Sequence, residues 1–197
     1  MSISNTFFRF AFACSFFFAS LTLIAEPTLE EVVVSARKVV ESVQDVPIAM
    51  SVFTSSDISD AGIERPEDFI ALTPNVVMAN TVNVGDTLVT IRGLTSTRDA
   101  ESNFAFVVDG VLQTNPNAFN RELLDIAQIE VLKGPQGALY GRNATSGAIL
   151  ITTKAPSEES ESTAVIGMGV NNASKLQYVN SSKMGDNVYT RFSVSTR

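Results

Sequence analysis

Hydrophobic and polar residues follow three different patterns along this 197-residue chain, and each pattern predicts a different kind of structure. Residues 7–24 are almost all apolar, with Arg9 as the one charged side chain in the run. Residues 45–156 contain short apolar stretches that are separated by turn residues, whereas residues 157–197 place apolar side chains at alternate positions. The patterns therefore divide the chain into a leading segment, a central mixed domain and a strand-rich end.

The apolar run near the N-terminus predicts a secretory signal sequence. It follows a short polar start, and the small residue Ala25 precedes an abrupt polar break at Glu26-Pro27. A transmembrane anchor is the alternative, but the run is at the lower limit for spanning a bilayer and no basic cluster follows it. A lipoprotein signal ending before Cys14 is disfavoured because the apolar run upstream of it is short. We therefore expect residues 1–25 to be removed.

The central segment predicts an α+β domain, a mixed β-sheet with short helices. Capping residues at 55–57 open one helix, and Pro66 followed by two acids opens another. Asp109-Gly110 between two apolar stretches predicts a tight hairpin. Further stretches with β-forming residues predict strands, and these cover residues 48–54, 88–91, 104–108, 129–132 and 147–153.

The strand-rich end predicts the start of an antiparallel transmembrane β-barrel. Its strands have one apolar and one polar face and are joined by short turns, a pattern that a soluble β-meander shares. The apolar faces carry Ala164, Ile166, Met168 and Val170, then Leu176 and Tyr178, then Val188, Thr190, Phe192 and Val194. The chain ends at Arg197, within the third of these strands.

Composition and charge narrow the possible functions. With 14 Lys+Arg against 21 Asp+Glu, a net charge of −7 and no basic block, the chain is not expected to bind nucleic acid. Histidine is absent and Cys14, the only cysteine, lies in the signal sequence, so the usual catalytic pairs and most transition-metal sites are excluded. A mature envelope protein without disulfides fits a bacterium better than a eukaryotic secreted domain. We predict no enzyme, no cofactor and no metal site.

One glycine-rich segment carries a family resemblance. Residues 129–154, IEVLKGPQGALYGRNATSGAILITTK, resemble the closing segment of the plug domain in TonB-dependent outer-membrane receptors. Residues 106–111, FVVDGV, and residues 91–93, IRG, resemble two further plug signatures, and residues 30–36, EEVVVSA, are similar to the TonB box. The segment does not match a phosphate-binding loop, because no Gly-Lys-Ser/Thr follows at the required spacing.

The resemblance implies a receptor that takes up a scarce ligand, such as a ferric siderophore, across the bacterial outer membrane with energy from TonB. The implied division is a signal peptide at 1–25, a mobile leader with the TonB box at 26–44, a plug domain at 45–156 and the first strands of an incomplete barrel at 157–197. A soluble periplasmic plug-like binding protein is the alternative if the truncation is natural, because open strand edges are not tolerated in lipid.

The resemblance also implies candidate site residues. Val32, Val33 and Val34 form an extended β-branched strip, which can add as a strand to a partner's sheet. These valines could instead form the first strand of the plug. Plug arginines Arg92 and Arg142 are implied to face acidic groups on the inner barrel wall. Ligand contacts are implied in apex loops near Asn83, Thr97 and Arg98. The implied TonB-contacting residues are Glu30, Glu31, Val32, Val33, Val34 and Ser35.

Overall fold

The computed structural model of the chain describes residues 32–34, 41–80, 87–96, 101–169 and 174–196. The chain divides into two units, residues 1–31 and 32–197, and every described residue belongs to the second. The predicted signal sequence lies outside the described residues, as do Glu30, Glu31, Ser35, Asn83, Thr97 and Arg98. In the described ranges, no helix combines the length and the apolar character needed to cross a membrane.

The described residues form short helices and many strands. In chain order the strands are β1 (Val33–Val34), β2 (Glu41–Ser42), β3 (Met50–Thr54), β4 (Val76–Asn80), β5 (Thr87–Ile91), β6 (Leu94–Thr95), β7 (Phe104–Val108), β8 (Val111–Leu112), β9 (Ile126–Lys133), β10 (Gly147–Thr153), β11 (Glu161–Met168), β12 (Ser174–Lys183) and β13 (Tyr189–Thr196). The helices are α1 (Ser55–Asp60), α2 (Pro66–Ala71) and α3 (Gly137–Tyr140), with 3₁₀ turns at Val43–Asp45 and Pro116–Ala118. The predicted α+β class with further antiparallel strands is confirmed.

A five-stranded mixed sheet forms the centre of the domain, in the order β3-β9-β10-β7-β8. Strand β10 is antiparallel to β9 and parallel to β7. Both faces of its inner strands are buried, which explains why β7 and β10 are nearly continuous apolar runs. Side chains alternate between two apolar clusters, with Ile129 and Val131 on one face and Leu132 on the other.

The larger apolar cluster contains a group of aromatic rings around Phe119. This ring meets Phe106 edge-on at 5.1 Å between centroids and Phe104 at 5.2 Å. Phe69, from helix α2, lies 6.3 Å from Phe119 in the same T-shaped arrangement. Edge-to-face pairs of this kind stabilise a core beyond the area they bury. The cluster therefore joins α2 and the segment before β9 to one face of the sheet.

The predicted helix starts are confirmed, and the first has a complete capping box. Thr54 Oγ1 accepts a hydrogen bond from the Asp57 N–H at 3.3 Å, and Asp57 Oδ2 accepts one from the Thr54 N–H at 2.8 Å. These bonds satisfy amide groups that a helix start leaves unpaired. The hydrogen bonds from the Thr54 side chain and backbone lower the pKa of Asp57 below its ordinary value. The Asp57 carboxylate is therefore ionised at neutral pH and can accept the hydrogen bond from the Thr54 N–H.

Two sequence signatures prove to be tight hairpin turns with positive φ at both central residues. Asp109 and Gly110 have φ of 48° and 79°, and they join β7 to β8. Arg92 and Gly93 have φ of 50° and 82°, and they join β5 to β6. Such turns match the twist of the flanking strands and favour glycine at the second position. The predicted Asp109-Gly110 hairpin is confirmed, whereas the turn at Arg92 was not predicted.

Strands β11, β12 and β13 form a separate antiparallel sheet, which we call the wall sheet. The predicted alternation is confirmed, because the register aligns even-numbered residues on one face and odd-numbered residues on the other. The acidic stretch at 157–162 was expected to be a polar bridge, but strand β11 already begins at Glu161. The sequence also gave no indication of β4, which pairs with β5 in a three-stranded sheet.

Candidate functional site

The odd-numbered face of the wall sheet lies against the central domain, and we call this contact the seam. Ser181 and Val179 on β12 are buried there, with 0% and 8% of their surface exposed. Ser181 Oγ accepts a hydrogen bond of 2.8 Å from the Ser157 N–H. Charged pairs cross the seam as well. The polar face of the sheet is therefore the face that meets protein.

Arg191 and Asp125 form the most enclosed ion pair of the seam. The Arg191 guanidinium donates from Nε to Asp125 Oδ2 at 2.5 Å and from Nη2 to Oδ1 at 2.7 Å. Their side chains are only 12% and 9% exposed. A bidentate pair of this type fixes orientation as well as distance. It therefore sets the position of β13 relative to the start of β9.

A second ion pair crosses the seam between Lys175 and Glu64. Lys175 Nζ lies 2.7 Å from Glu64 Oε1, and the two side chains are 20% and 36% exposed. The Glu64 backbone is itself held, since its N–H donates to Asp68 Oδ2 and its carbonyl accepts from the Leu123 N–H. Water competes for partly exposed pairs, so this contact contributes less than the enclosed one.

A cavity of about 370 Å³ lies within the seam, between helix α1 and the wall sheet. Three acidic and three basic side chains line it, so the charges in its lining balance. Polar cavities of this size hold ordered water rather than remaining empty. The lining charged residues are Glu64, Asp125, Glu161, Lys154, Lys175 and Arg191.

The even-numbered face of the wall sheet is apolar and exposed. One row across the three strands holds Ala164, Tyr178 and Val194, and a neighbouring row includes Ile166 and Leu176. Ile166 is 75% exposed. A sheet with one exposed apolar face and one polar face that meets protein has the two-sided pattern of a wall that contacts lipid.

The valine strip near the N-terminus is paired. Strand β1 is antiparallel to β2, the Val43 N–H donates to the Val32 carbonyl at 3.1 Å, and Val34 is 2% exposed. Gln128 on β9 donates from Nε2 to the Val33 carbonyl at 2.9 Å. The expectation of a mobile leader does not hold for these three valines, which pair with β2 and contact β9. The sequence missed it because the partner strand, Glu41–Ser42, carries no β-strand pattern.

Comparison with known proteins decides the family. A profile of the TonB-dependent receptor plug domain matches residues 42–148, more than half of the chain. The chain belongs to this plug domain family. It is 31% identical to the pesticin receptor of Yersinia enterocolitica over 132 residues, which cover 66% of the chain and 19% of that receptor. It is 27% identical to the vitamin B12 transporter BtuB of Vibrio vulnificus, covering 84% of the chain and 27% of BtuB.

A solved structure gives the same answer for the fold. The ferric yersiniabactin uptake receptor FyuA from Yersinia pestis superposes with a TM-score of 0.70 at 25% identity. The match covers 75% of this chain and 24% of that one. The chain spans about a fifth to a quarter of the length of these relatives. Members of the family are receptors and not enzymes, in agreement with the prediction from the sequence. They bind small-molecule ligands and interact with TonB.

The structure places the two plug arginines on the plug itself. Arg142 Nη2 lies 3.0 Å from Glu101 Oε1, in an exposed ion pair. Arg92 packs over the backbone of Gly134, where an added Cβ would lie 2.9 Å from Arg92 Nη1. The two residues are not brought together with the valine strip or with the seam pairs. Their contact with acidic groups of a barrel wall stays a prediction.

Sequence reasoning missed the residues that join the plug to the wall. Arg191 alternates with Thr190 and Phe192 of the apolar face, so its place on the polar face of the strand was the one available signal. Its partner Asp125 is 66 positions earlier in the chain, and Glu64 is 111 positions before Lys175. The polarity is also opposite to the expectation for Arg92 and Arg142, because the acids lie on the plug and the bases on the wall.

Tyr140 in the closing segment is not an acid–base group. Burial, and secondly the charge of Glu130, raise the pKa of Tyr140 to about 12. Glu130 lies on the central strand β9 and is 1% exposed. The phenol therefore stays protonated at physiological pH and packs against the smaller apolar cluster with Leu132 and Leu150. Helix α3 is held onto the sheet in this way.

Proposed function

We propose that this chain is the plug domain and first wall strands of a TonB-dependent receptor that takes up a ferric siderophore. The observation that carries the proposal is the two-faced wall sheet. Its polar face meets the plug through Asp125–Arg191 and Glu64–Lys175, while its other face exposes an apolar band. A barrel wall that encloses a plug needs this arrangement, because its inner side contacts protein and water and its outer side contacts lipid.

The place of action is the bacterial outer membrane. Membership in the receptor family supports this location, and so does the exposed apolar band. A soluble plug-like protein would leave Ile166 and Met168 in water at 75% and 92% exposure. Contiguous apolar surface of this kind normally meets a partner or a membrane. The receptor is therefore favoured over the soluble alternative.

The ligand class follows from the relatives. The ferric yersiniabactin receptor is named for an iron chelate, and it resembles this chain in fold and in sequence. The vitamin B12 transporter resembles the chain too, so corrinoids are the second candidate. Both are bulky and scarce molecules. Their uptake requires a wide pore that stays blocked until the ligand is bound, which a plug supplies.

Energy coupling is proposed to use the valine strip. No ATP is present on the periplasmic side of the outer membrane, so work must come from a partner such as TonB. The main chain of residues 32–34 can pair with the edge of a partner's sheet. Val33 is 41% exposed, which makes it the most exposed of the described residues of the strip.

Uptake of radioiron tests the proposed function. The complete reading frame that contains this chain is expressed in cells that lack their own siderophore receptors, and radioiron-loaded yersiniabactin is supplied. We expect iron to accumulate in cells with TonB and not in matched cells without it. Accumulation of labelled vitamin B12 alone would overturn the ligand class. A protein found only in the soluble periplasm would support the binding-protein alternative.

The apolar band gives a second prediction. Val194→Arg places a charge on the apolar band. It is expected to make the free energy of membrane insertion less favourable by about 2–4 kcal/mol. Ser195→Arg is the matched control, because the neighbouring side chain faces the seam, where Ser195 Oγ lies 3.5 Å from Glu122 Oε2. The amount of folded receptor in the outer-membrane fraction is measured for both. Equal losses in the two variants would show that the band does not meet lipid.

A further inference from the structure

Asp125 lies where the central hairpin of the plug meets the wall. It directly precedes β9, and its carbonyl accepts a hydrogen bond of 2.9 Å from the N–H of Lys154, directly after β10. Its carboxylate holds Arg191 on β13 through two hydrogen bonds. Asp125 therefore ties the start of β9 to the end of β10, and it ties both strands to the wall.

We propose that Asp125 is the positioning residue that seats the plug against the wall, with Arg191 as its wall partner. The inference rests on the proposed receptor function and names the contact that keeps the pore closed at this side. We call the Asp125–Arg191 contact the seat. Its acid lies on the plug and its base lies on the wall. Arg92 and Arg142 are not part of it, since their contacts in the structure are to the plug itself.

The backbone at Asp125 supports this role. Its φ is +57°, a left-handed conformation that costs energy for residues other than glycine and that Asp and Asn tolerate best. Such conformations persist where the surrounding contacts require them. Here they direct the carboxylate towards Arg191. Asparagine keeps both the shape and the left-handed preference, so Asp125→Asn removes the charge without disturbing the turn.

Burial separates this pair from the other charged contacts of the plug. At 9% and 12% exposure, removing one partner leaves the other charge enclosed and uncompensated, which is strongly unfavourable. Glu161 lies in the same row of the wall sheet as Arg191, since both are opposite Ser181. It faces the same cavity and can offset part of the arginine charge, but it belongs to the wall and not to the plug. By contrast, Arg65 and Glu67 form an exposed pair on the plug at 3.9 Å.

Outer-membrane permeability tests the seat without any knowledge of the ligand. The full receptor is expressed in a strain with an otherwise tight outer membrane, and entry of the bulky antibiotic vancomycin is measured at equal receptor levels. We expect Asp125→Asn and Arg191→Gln each to raise the rate of entry by about tenfold or more. Arg191→Lys keeps the charge but loses the bidentate geometry, so an intermediate rise is expected.

A double-mutant comparison distinguishes a specific pair from general damage. Asp125→Asn combined with Arg191→Gln should leak no more than the worse single variant, because two residues that act as a pair are not additive. Arg65→Gln and Glu67→Gln repeat the same chemical changes on the exposed pair and should leave entry at the wild-type rate. If a neutral variant does not reach the membrane, Arg191→Lys carries the test.

The outcomes separate this inference from the proposed function. Additive leakage from the two changes, or equal leakage from the exposed-pair controls, would overturn the seat. Unchanged entry in every variant, with radioiron uptake intact, would overturn it as well. The expected leakage pattern in a receptor that takes up no iron chelate would support the seat and contradict the ligand class alone.

Discussion

Gly147→Ala is expected to destabilise the plug by about 3 kcal/mol or more, the upper part of the range for overpacked cores. A Cβ on Gly147 would lie 2.3 Å from the Leu132 carbonyl oxygen, and the nearest other side-chain atom, Ile91 Cδ1, would be at 3.3 Å. Both neighbours are fully buried, so neither can move aside cheaply. The methyl group would separate β10 from β9 at the first pair of their ladder.

Gly137→Ala is the matched control for this change. Gly137 lies in the same glycine-rich closing segment, and an added Cβ there meets nothing within 4 Å. It is the first residue of helix α3, where alanine is the better helix former by roughly 0.5–1 kcal/mol. Denaturant unfolding of both variants gives the comparison. Similar stabilities for the two would show that close strand approach is not what requires glycine at position 147.

The elements that the sequence predicted correctly are those with a local cause. Asp109-Gly110 needs only two residues with positive φ to make its turn, and the first helix begins at the predicted Ser55, although its N-cap is Thr54 rather than one of residues 55–57. The wall strands were predicted because alternation is a property of each strand alone. Local chemistry of this kind is visible in a single sequence.

Contacts between distant segments could not be predicted in the same way. The parallel pairing of β10 with β7 aligns Gly147 with Phe104, and nothing local in either strand encodes that register. Asp125 and Arg191 carry ordinary charges, and only the fold brings them together. Val34 is buried because it packs in the folded domain, whereas an isolated valine-rich strip predicts only an extended strand.

The seam shows why the plug does not need a large apolar surface towards the wall. Its contacts include ion pairs and hydrogen bonds around a cavity lined by charged residues, and the two apolar clusters lie on either side of the plug's own sheet. Polar contacts fix orientation, yet they exchange with water more readily than a packed apolar interface does. Contacts of this kind can hold the plug in a specific orientation without an extensive dry interface.

Val33→Pro is expected to abolish iron uptake while leaving ligand binding at the cell surface unchanged. Proline has no backbone N–H and therefore cannot donate a hydrogen bond to a strand ladder. The strip could then no longer add to a partner's sheet. Val33 is 41% exposed, so the plug core does not depend on its side chain. Uptake of radioiron should fall to the level of cells without TonB.

Val33→Thr is the control, because threonine keeps the β-branched shape and the N–H and should retain uptake. Binding of the iron chelate to whole cells is measured in parallel at low temperature, where transport stops. A loss of binding together with uptake would mean that β1 is a strand of the plug that the receptor needs for folding. Retained binding with lost uptake would identify residues 32–34 as the coupling strip, which must then leave its pairing with Glu41–Ser42 and Gln128 when the partner docks.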